Sequence, residues 1–345
     1  MIRSRFATTI AACCLWMILS TNTSVQAFEA PTLPADPSAW INSPPLSLQQ
    51  LKGKAVVFWF YEETCPRCRE RWPALMDTSQ KMSDRPVVFI AVNSGNSPSD
   101  VRDYADSLRV TWPIIADTDR SLEKAFRLDE ITLQNVTQIC YVTADGSAHD
   151  GKWDKVDETI ADALEDAAWK LDPSEVPDAL KETWRAVEYG SYKSAAATLK
   201  KSATSPKKEL AEGAKKLQAV VKKSLSDDVE AAKKESEAGH HWRAFEMCQQ
   251  INDRYGAAEM PTELADLKKS LLKENEVKTG AASKKVVETA LKGLNSGRPV
   301  SKKVKAQLDK IVNDYSDSDL ARDAQQALEK AASTTEQRGS MNADQ

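Results

Sequence analysis

The stretch 56-VVFWFYEETCPRCRERWPAL-75 decides how the chain is read. An apolar run rich in β-branched and aromatic residues is what a buried strand needs. It stops at Glu62 and Glu63, gives way to Cys65-Pro66-Arg67-Cys68, and continues as a charged segment broken by Pro73. A Cys-x-x-Cys in that position is a working dithiol, half of a metal knuckle, or a small structural staple. Zinc wants four ligands and this pair supplies two. The other donors, His149, His240, His241, Cys140 and Cys248, are far off in sequence, and no second knuckle occurs. A structural disulfide between Cys65 and Cys68 would close a ring worth only about 2 kcal/mol, against about 3 for a fifteen-residue loop. The small ring suits reversible opening and closing better, because both sulfurs stay adjacent in either redox state. A strand delivering the chain to a sheet edge, with Cys65-Pro66 opening a helix, would place Cys65 where helix amides favour a thiolate. Cys65 is then the exposed nucleophile and Cys68, one turn in, the resolving thiol. Arg67 should favour the thiolate and Glu62 and Glu63 oppose it. Each such charge is worth about 0.3–1 kcal/mol, so the direction of electron flow stays open.

Working outward, 55-AVVFWFY-61, 87-VVFIAV-92 and 139-ICYV-142 alternate with amphipathic stretches from about Trp40 to Trp153. Strands separated by helices predict an α/β domain with a central mixed sheet flanked by helices. Asp145-Gly146 in 143-TADG-146 predicts a hairpin and an antiparallel strand after it. Beyond about Asp172 no strand-like run survives, and Ala, Lys, Glu and Leu predict an all-α domain, of repeat-like helical hairpins or, as the alternative, a plain helical bundle. Ser205-Pro206 reads there as a helix start. A faint repeat, Gly190-Ser-Tyr192 and Gly239-His-His-Trp242, with Gly297 opening a weaker third copy, has a period of roughly 50 residues, longer than the 34 of a tetratricopeptide repeat. The expected divisions are a signal peptide at 1–27, an extended lead-in rich in Pro, Ala and Ser at 28–45, the α/β domain at 46–170, the helical domain at 171–332 and a disordered tail at 333–345.

The signal peptide rests on Arg3 and Arg5, an apolar stretch around Ile10 to Leu19, and small residues up to Ala27. Cleavage after Ala27 removes two cations and no acids, taking the net charge from −4 to −6. The apolar stretch is shorter than the roughly 20 residues a spanning helix needs, so no stable membrane span is expected once it is gone. A periplasmic or secreted location follows, where disulfides persist. No basic surplus points to nucleic acid, and nothing calls for a cofactor. Of six cysteines, Cys13 and Cys14 leave with the signal, and four in so long a chain are not a disulfide scaffold.

At this point the residues resemble a family. The lead-in 46-LSLQQLKGKAVVFWF-60, the 65-CPRCRERWPAL-75 segment, 87-VVFIAVNSG-95, 111-TWPIIADTD-119 and 142-VTADG-146 together resemble the thioredoxin-like superfamily. Their order and spacing are similar to its extracytoplasmic TlpA-like and redoxin branch of thiol-disulfide oxidoreductases. The resemblance implies a thioredoxin-like fold, Cys65 and Cys68 as catalytic dithiol and redox disulfide, and contacts to substrate from Thr64, Pro66, Arg67 and the loop at Thr137. Three positions depart from the pattern. Thr64 replaces the usual Trp before the first cysteine. Trp59 stands where thioredoxin has a buried acid. Thr137 occupies the position of the family's cis-proline, and a non-proline cis bond costs about 2.5–4 kcal/mol, so a trans bond is expected there. The peroxiredoxin Pro-x-x-x-Thr-x-x-Cys is missing too, since Glu62 stands third before Cys65.

Cys140 in its apolar strand and Cys248 beside Met247 read as buried small hydrophobes, with a further thiol role for Cys140 as the alternative. His240-His241 and the lysines near Lys207, Lys215 and Lys222 read as solvated helix surface. The expected function is an exported thiol-disulfide oxidoreductase acting on a protein thiol or disulfide partner. Its helical domain would position a protein partner. The alternative is a non-catalytic binding protein in which the helical domain recruits a partner and the thioredoxin-like domain is scaffold.

Overall fold

The computed structural model describes residues 27–343 apart from 137, 257–259 and 317. The expected signal peptide at 1–27, all but Ala27, and Thr137, with its peptide bond, therefore lie outside the described residues.

Two strands form the centre of the sheet because their residues can be buried on both faces. β3 (Ala55–Tyr61) and β4 (Val87–Ser94) follow two short strands, β1 (Phe28–Glu29) and β2 (Trp40–Ile41). β5 (Ile114–Asp117), β6 (Gln138–Val142) and β7 (Ser147–Asp150) complete a seven-stranded sheet in the order β1-β7-β6-β3-β4-β5-β2. β3, β4 and β5 run parallel, while β6 pairs antiparallel with β3 and β7 with β6. The hairpin at Asp145-Gly146 forms as its sequence predicts, with Gly146 at φ 98°. α1 (Pro66–Lys81), α2 (Pro98–Leu108), α3 (Ser121–Ala125) and α4 (Val156–Ala163) connect and cover the strands. This is the thioredoxin-like arrangement.

Two local expectations change. The stretch 28–45 is not merely a lead-in, since β1 closes one sheet edge against β7 and β2 the other against β5. Four apolar residues scattered among its Pro, Ala and Ser, namely Phe28, Leu33, Trp40 and Ile41, are buried and hold it there. Pro73 does not break α1. Its ring removes one helical hydrogen bond, but Trp72 beside it is fully buried among Trp59, Tyr61 and Trp112 and fixes the helix on the sheet.

Among the described residues no strand follows Asp150. α5 (Lys181–Glu188), α6 (Tyr192–Ala203), α7 (Lys208–Glu237), α8 (His241–Tyr255), α9 (Thr262–Leu271), α10 (Asn275–Asn295), α11 (Lys302–Asp314) and α12 (Asp319–Ala343) bury a second apolar core. Gly190, Gly239 and Gly297, the residues of the faint repeat, follow α5, α7 and α10 at φ 71°, 88° and 72°, a backbone that glycine adopts without strain. α7 starts two residues after the expected Ser205-Pro206, with the Ser205 hydroxyl accepting the Lys207 N–H instead. The backbone of α12 runs on through the stretch from Ser333 that composition marks as an irregular tail.

The two cores meet around one buried ion pair. Lys54, just before β3, lies 2.9 Å from Glu188 at the end of α5, both side chains fully buried. Glu188 also accepts the backbone N–H groups of Lys170 and Leu171. Trp169 donates to the Asp84 carbonyl, and Lys330 of α12 reaches Asp119 at 3.1 Å.

Candidate functional site

β3 ends at the carboxyl edge of the sheet, and four residues later Cys65 caps α1 in an extended conformation, φ −81° and ψ 111°. Its sulfur accepts the backbone N–H of Cys68 at 3.2 Å, so the first cysteine is bound into the first turn of the helix by the second. Pro66 takes the first helical position, where a missing N–H costs nothing. Both thiols are free, as are Cys140 and Cys248. Burial, and then the hydrogen bond with Cys65, push the Cys68 thiol well above its ordinary range.

One expectation about the site is corrected. Cys65 is not exposed but 2% accessible, and Cys68 is wholly buried. Thr64, Pro66 and Arg67 around them are exposed. The Arg67 guanidinium donates to the Leu133 carbonyl at 2.8 Å, which draws the loop before β6 towards the α1 N-terminus.

A second arginine, which the sequence reading passed over, holds the same loop. Arg120 opens α3 with a left-handed backbone, φ 57°. It pairs with Glu62 at 3.2 Å and with buried Glu123 at 3.3 Å, and donates to the Ile131 carbonyl at 2.7 Å. Its Nε is 3.9 Å from Glu130. Glu62 is thereby committed to Arg120, while Glu63 accepts from the Asn96 side chain at 3.0 Å. The two acids ahead of the dithiol thus have partners of their own. The only cue in sequence was an Arg inside 116-ADTDRSLE-123, which reads as ordinary loop polarity.

Below Cys68 lies a group of polar side chains that sequence reasoning also missed. Tyr61 and Asn93 face each other across β3 and β4, and the Tyr61 and Tyr104 rings stack with centroids 5.6 Å apart. Burial raises both phenols, Tyr104 to about 12, and each feels the charge state of Cys68. Burial likewise raises Glu63, with Asp100 and Glu62 adding to it.

Cys140 sits on β6 opposite Phe58 and is wholly buried, its thiol raised by burial. Cys248 is buried in the second core, its thiol raised to about 11. Among the described residues, no three His, Cys, Asp or Glu side chains gather into a set that could hold a metal ion. No helix among them is long and apolar enough to cross a membrane.

Residues 24–141 match the AhpC/TSA family. The chain is 31% identical over 85 residues to thiol-disulfide oxidoreductase ResA of Bacillus subtilis (strain 168), covering 25% of this chain and 48% of that protein. It is 36% identical over 74 residues to the thioredoxin-like protein YneN of the same organism, covering 21% and 43%. The chain thus spans about half the length of the curated relatives it matches. A solved thiol:disulfide interchange protein of the thioredoxin family from Chlorobium tepidum TLS overlaps 40% of this chain and 97% of its own, at 21% identity and a TM-score of 0.34.

Proposed function

We propose that this thioredoxin-like redoxin domain is a thiol-disulfide oxidoreductase, exported by its N-terminal signal, with Cys65 as nucleophile and Cys68 as resolving thiol towards a protein partner. The observation that carries the reading is the Cys68 N–H bound to the Cys65 sulfur at the start of α1. That geometry places the outer sulfur at the helix N-terminus and keeps the inner one within one helical turn. The Cys65 thiolate attacks one sulfur of a substrate disulfide and expels the other as thiolate. Cys68 then attacks Cys65, the Cys65–substrate bond breaks, and the substrate leaves reduced while the dithiol is oxidised. Thr64, Pro66, Arg67 and the loop at Thr137 supply the docking surface, and the helical region selects the partner.

Burial of Cys65 favours the second reading, a binding protein whose dithiol is covered and silent. Equilibration of the protein in graded glutathione buffers, followed by thiol trapping and mass spectrometry, separates the two. A two-electron couple linking Cys65 to Cys68 supports the first. Thiols that stay reduced across the whole range support the second.

A further inference from the structure

Five residues beneath the dithiol, Tyr61, Glu63, Trp72, Asn93 and Tyr104, carry side-chain polar atoms buried away from solvent. Tyr61 lies within side-chain hydrogen-bonding reach of Asn93, and Tyr104 within reach of Trp72. Buried polar groups are costly to desolvate, and here they gather on the face of the sheet that carries the dithiol's helix. The aromatic contacts join these residues without a gap, Tyr61 stacking on Tyr104 and meeting Trp72 edge-on at 5.3 Å. Tyr61 and Asn93 are wholly buried. At one end is the Cys68 sulfur. At the other, Glu63 offers a carboxylate with one oxygen on Asn96 and one turned inward without a partner.

The second step of the reaction proposed above needs what such a group can supply. Cys68 must lose its proton before its sulfur can attack Cys65, yet burial favours the neutral thiol. The position where thioredoxin carries a buried acid is Trp59, which cannot accept a proton. We propose that Tyr61 and Tyr104, with Asn93 holding the Tyr61 hydroxyl, form a polar path along which the Cys68 proton passes to Glu63, making Glu63 the general base for closing the Cys65–Cys68 disulfide. The inference rests on the dithiol reading. The phenols stay neutral throughout, each able to donate one proton while accepting another. The balance is closed within the protein: the S–H bond of Cys68 breaks, its proton ends on a Glu63 oxygen, the Cys65–Cys68 bond forms, and the substrate sulfur leaves with the electron pair of the bond to Cys65. Glu63 and Tyr61 act from the end of β3, Tyr104 from α2. The other charged or titratable groups facing the path are Glu62, Asp100, Cys65 and Arg69, the last with its guanidinium 5.9 Å from the Tyr104 ring.

The test isolates the resolving step. Reduced protein is treated with 5,5′-dithiobis(2-nitrobenzoate) to place thionitrobenzoate on Cys65, and its release by Cys68 is followed by stopped flow from pH 5 to 9. In the wild-type chain release should rise with pH as Glu63 ionises. Glu63→Gln should slow it about 10²-fold near neutral pH, the lower range of general-base effects, and leave a rate that climbs with hydroxide instead. Tyr104→Phe should slow it while keeping the wild-type pH profile. Glu70→Gln, an exposed acid on the same helix, is the control. Near-UV circular dichroism establishes that each variant is folded, and loading at Cys65 is timed separately from release, with Glu63→Gln expected to load no slower than the wild type because a charge opposing the thiolate is gone. Release from Glu63→Gln at the wild-type rate and with the wild-type pH profile overturns the base assignment while leaving the dithiol reading standing. A wild-type protein that loads Cys65 but never releases the chromophore overturns the dithiol reading, and the path with it.

Discussion

Replacing Glu188 by Gln tests what holds the two cores together, and its cost can be worked from the structure. The substitution keeps shape and removes charge, leaving the Lys54 ammonium with no accessible surface and no anion. The Trp169 ring lies 5.6 Å away, and the Lys170 charge nearby repels the ammonium. Breaking one side of a buried pair typically costs about 3–5 kcal/mol. Lys54 can escape by giving up its proton, which burial already favours over the pull of Glu188. Bringing an ordinary lysine from about 10.4 to neutrality at pH 7 costs about 4–5 kcal/mol at 1.36 per unit, so neither route is cheaper than the other. Lys54→Met should cost less, about 2–3 kcal/mol, because Glu188 keeps its charge-assisted bonds from the Lys170 and Leu171 N–H groups. The double variant should cost less than the sum, since each change removes the other's stranded charge. Urea unfolding followed by tryptophan fluorescence is the assay. Trp169 stacks edge-on against Trp184 at 4.9 Å across this junction and reports its opening. A Glu188→Gln penalty below 1 kcal/mol, or strict additivity in the double variant, would refute the reasoning.

Arg67→Ala should free the loop at Leu133 and raise the rate of Cys65 alkylation by iodoacetamide several-fold. An unchanged rate would mean the 2.8 Å bond does not contribute to covering the thiol. Cys68→Ser should accumulate mixed disulfides through Cys65 with a disulfide substrate, visible by non-reducing electrophoresis, whereas Cys65→Ser should accumulate none. Burial holds Glu246 at about 7 against an ordinary 4.5. A raised carboxyl binds its proton more tightly folded than unfolded, so it takes stability away as pH rises from 4.5 to 7, by up to about 3 kcal/mol. Unfolding at pH 5 and 7.5 should show that loss in the wild type and much less of it in Glu246→Gln.

The parts of the fold legible in sequence are those where one signal dominates. β3 and β4 are continuous apolar runs with no competing pattern, the Asp145-Gly146 turn has a backbone need that few residues meet, and the helical region never alternates with period two. Legibility failed where tertiary burial overruled local composition. Phe28 and Trp40-Ile41 are short apolar islands in a stretch of Pro, Ala and Ser, and the sheet edges explain why they are paired. Pro73 reads as a break because local rules weigh its lost hydrogen bond and do not see Trp72 anchored in the core.

The site divides the same way. Cys65 and Cys68 could be read as a pair because their relation is local, one helical turn, and the structure puts the sulfur of one on the amide of the other. The loop before β6 is held by Arg67 meeting Leu133 and by Arg120 meeting Ile131, the first pair 66 residues apart. No spacing within one element encodes that. The buried polar group beneath Cys68 is harder still to read, since Tyr61, Asn93 and Tyr104 come from three separate elements. Yet a trace of it is present. β4 is apolar until 93-NS-94, and both polar residues are buried as fully as the rest of the strand. A strand that could have ended on two more aliphatic residues instead carries an amide and a hydroxyl into the interior, at the carboxyl edge where β3 delivers the dithiol. Desolvating them costs free energy that packing does not return, and since neighbours on a strand face opposite sides, it is Asn93, in register with Tyr61, that shares the face of the proposed path.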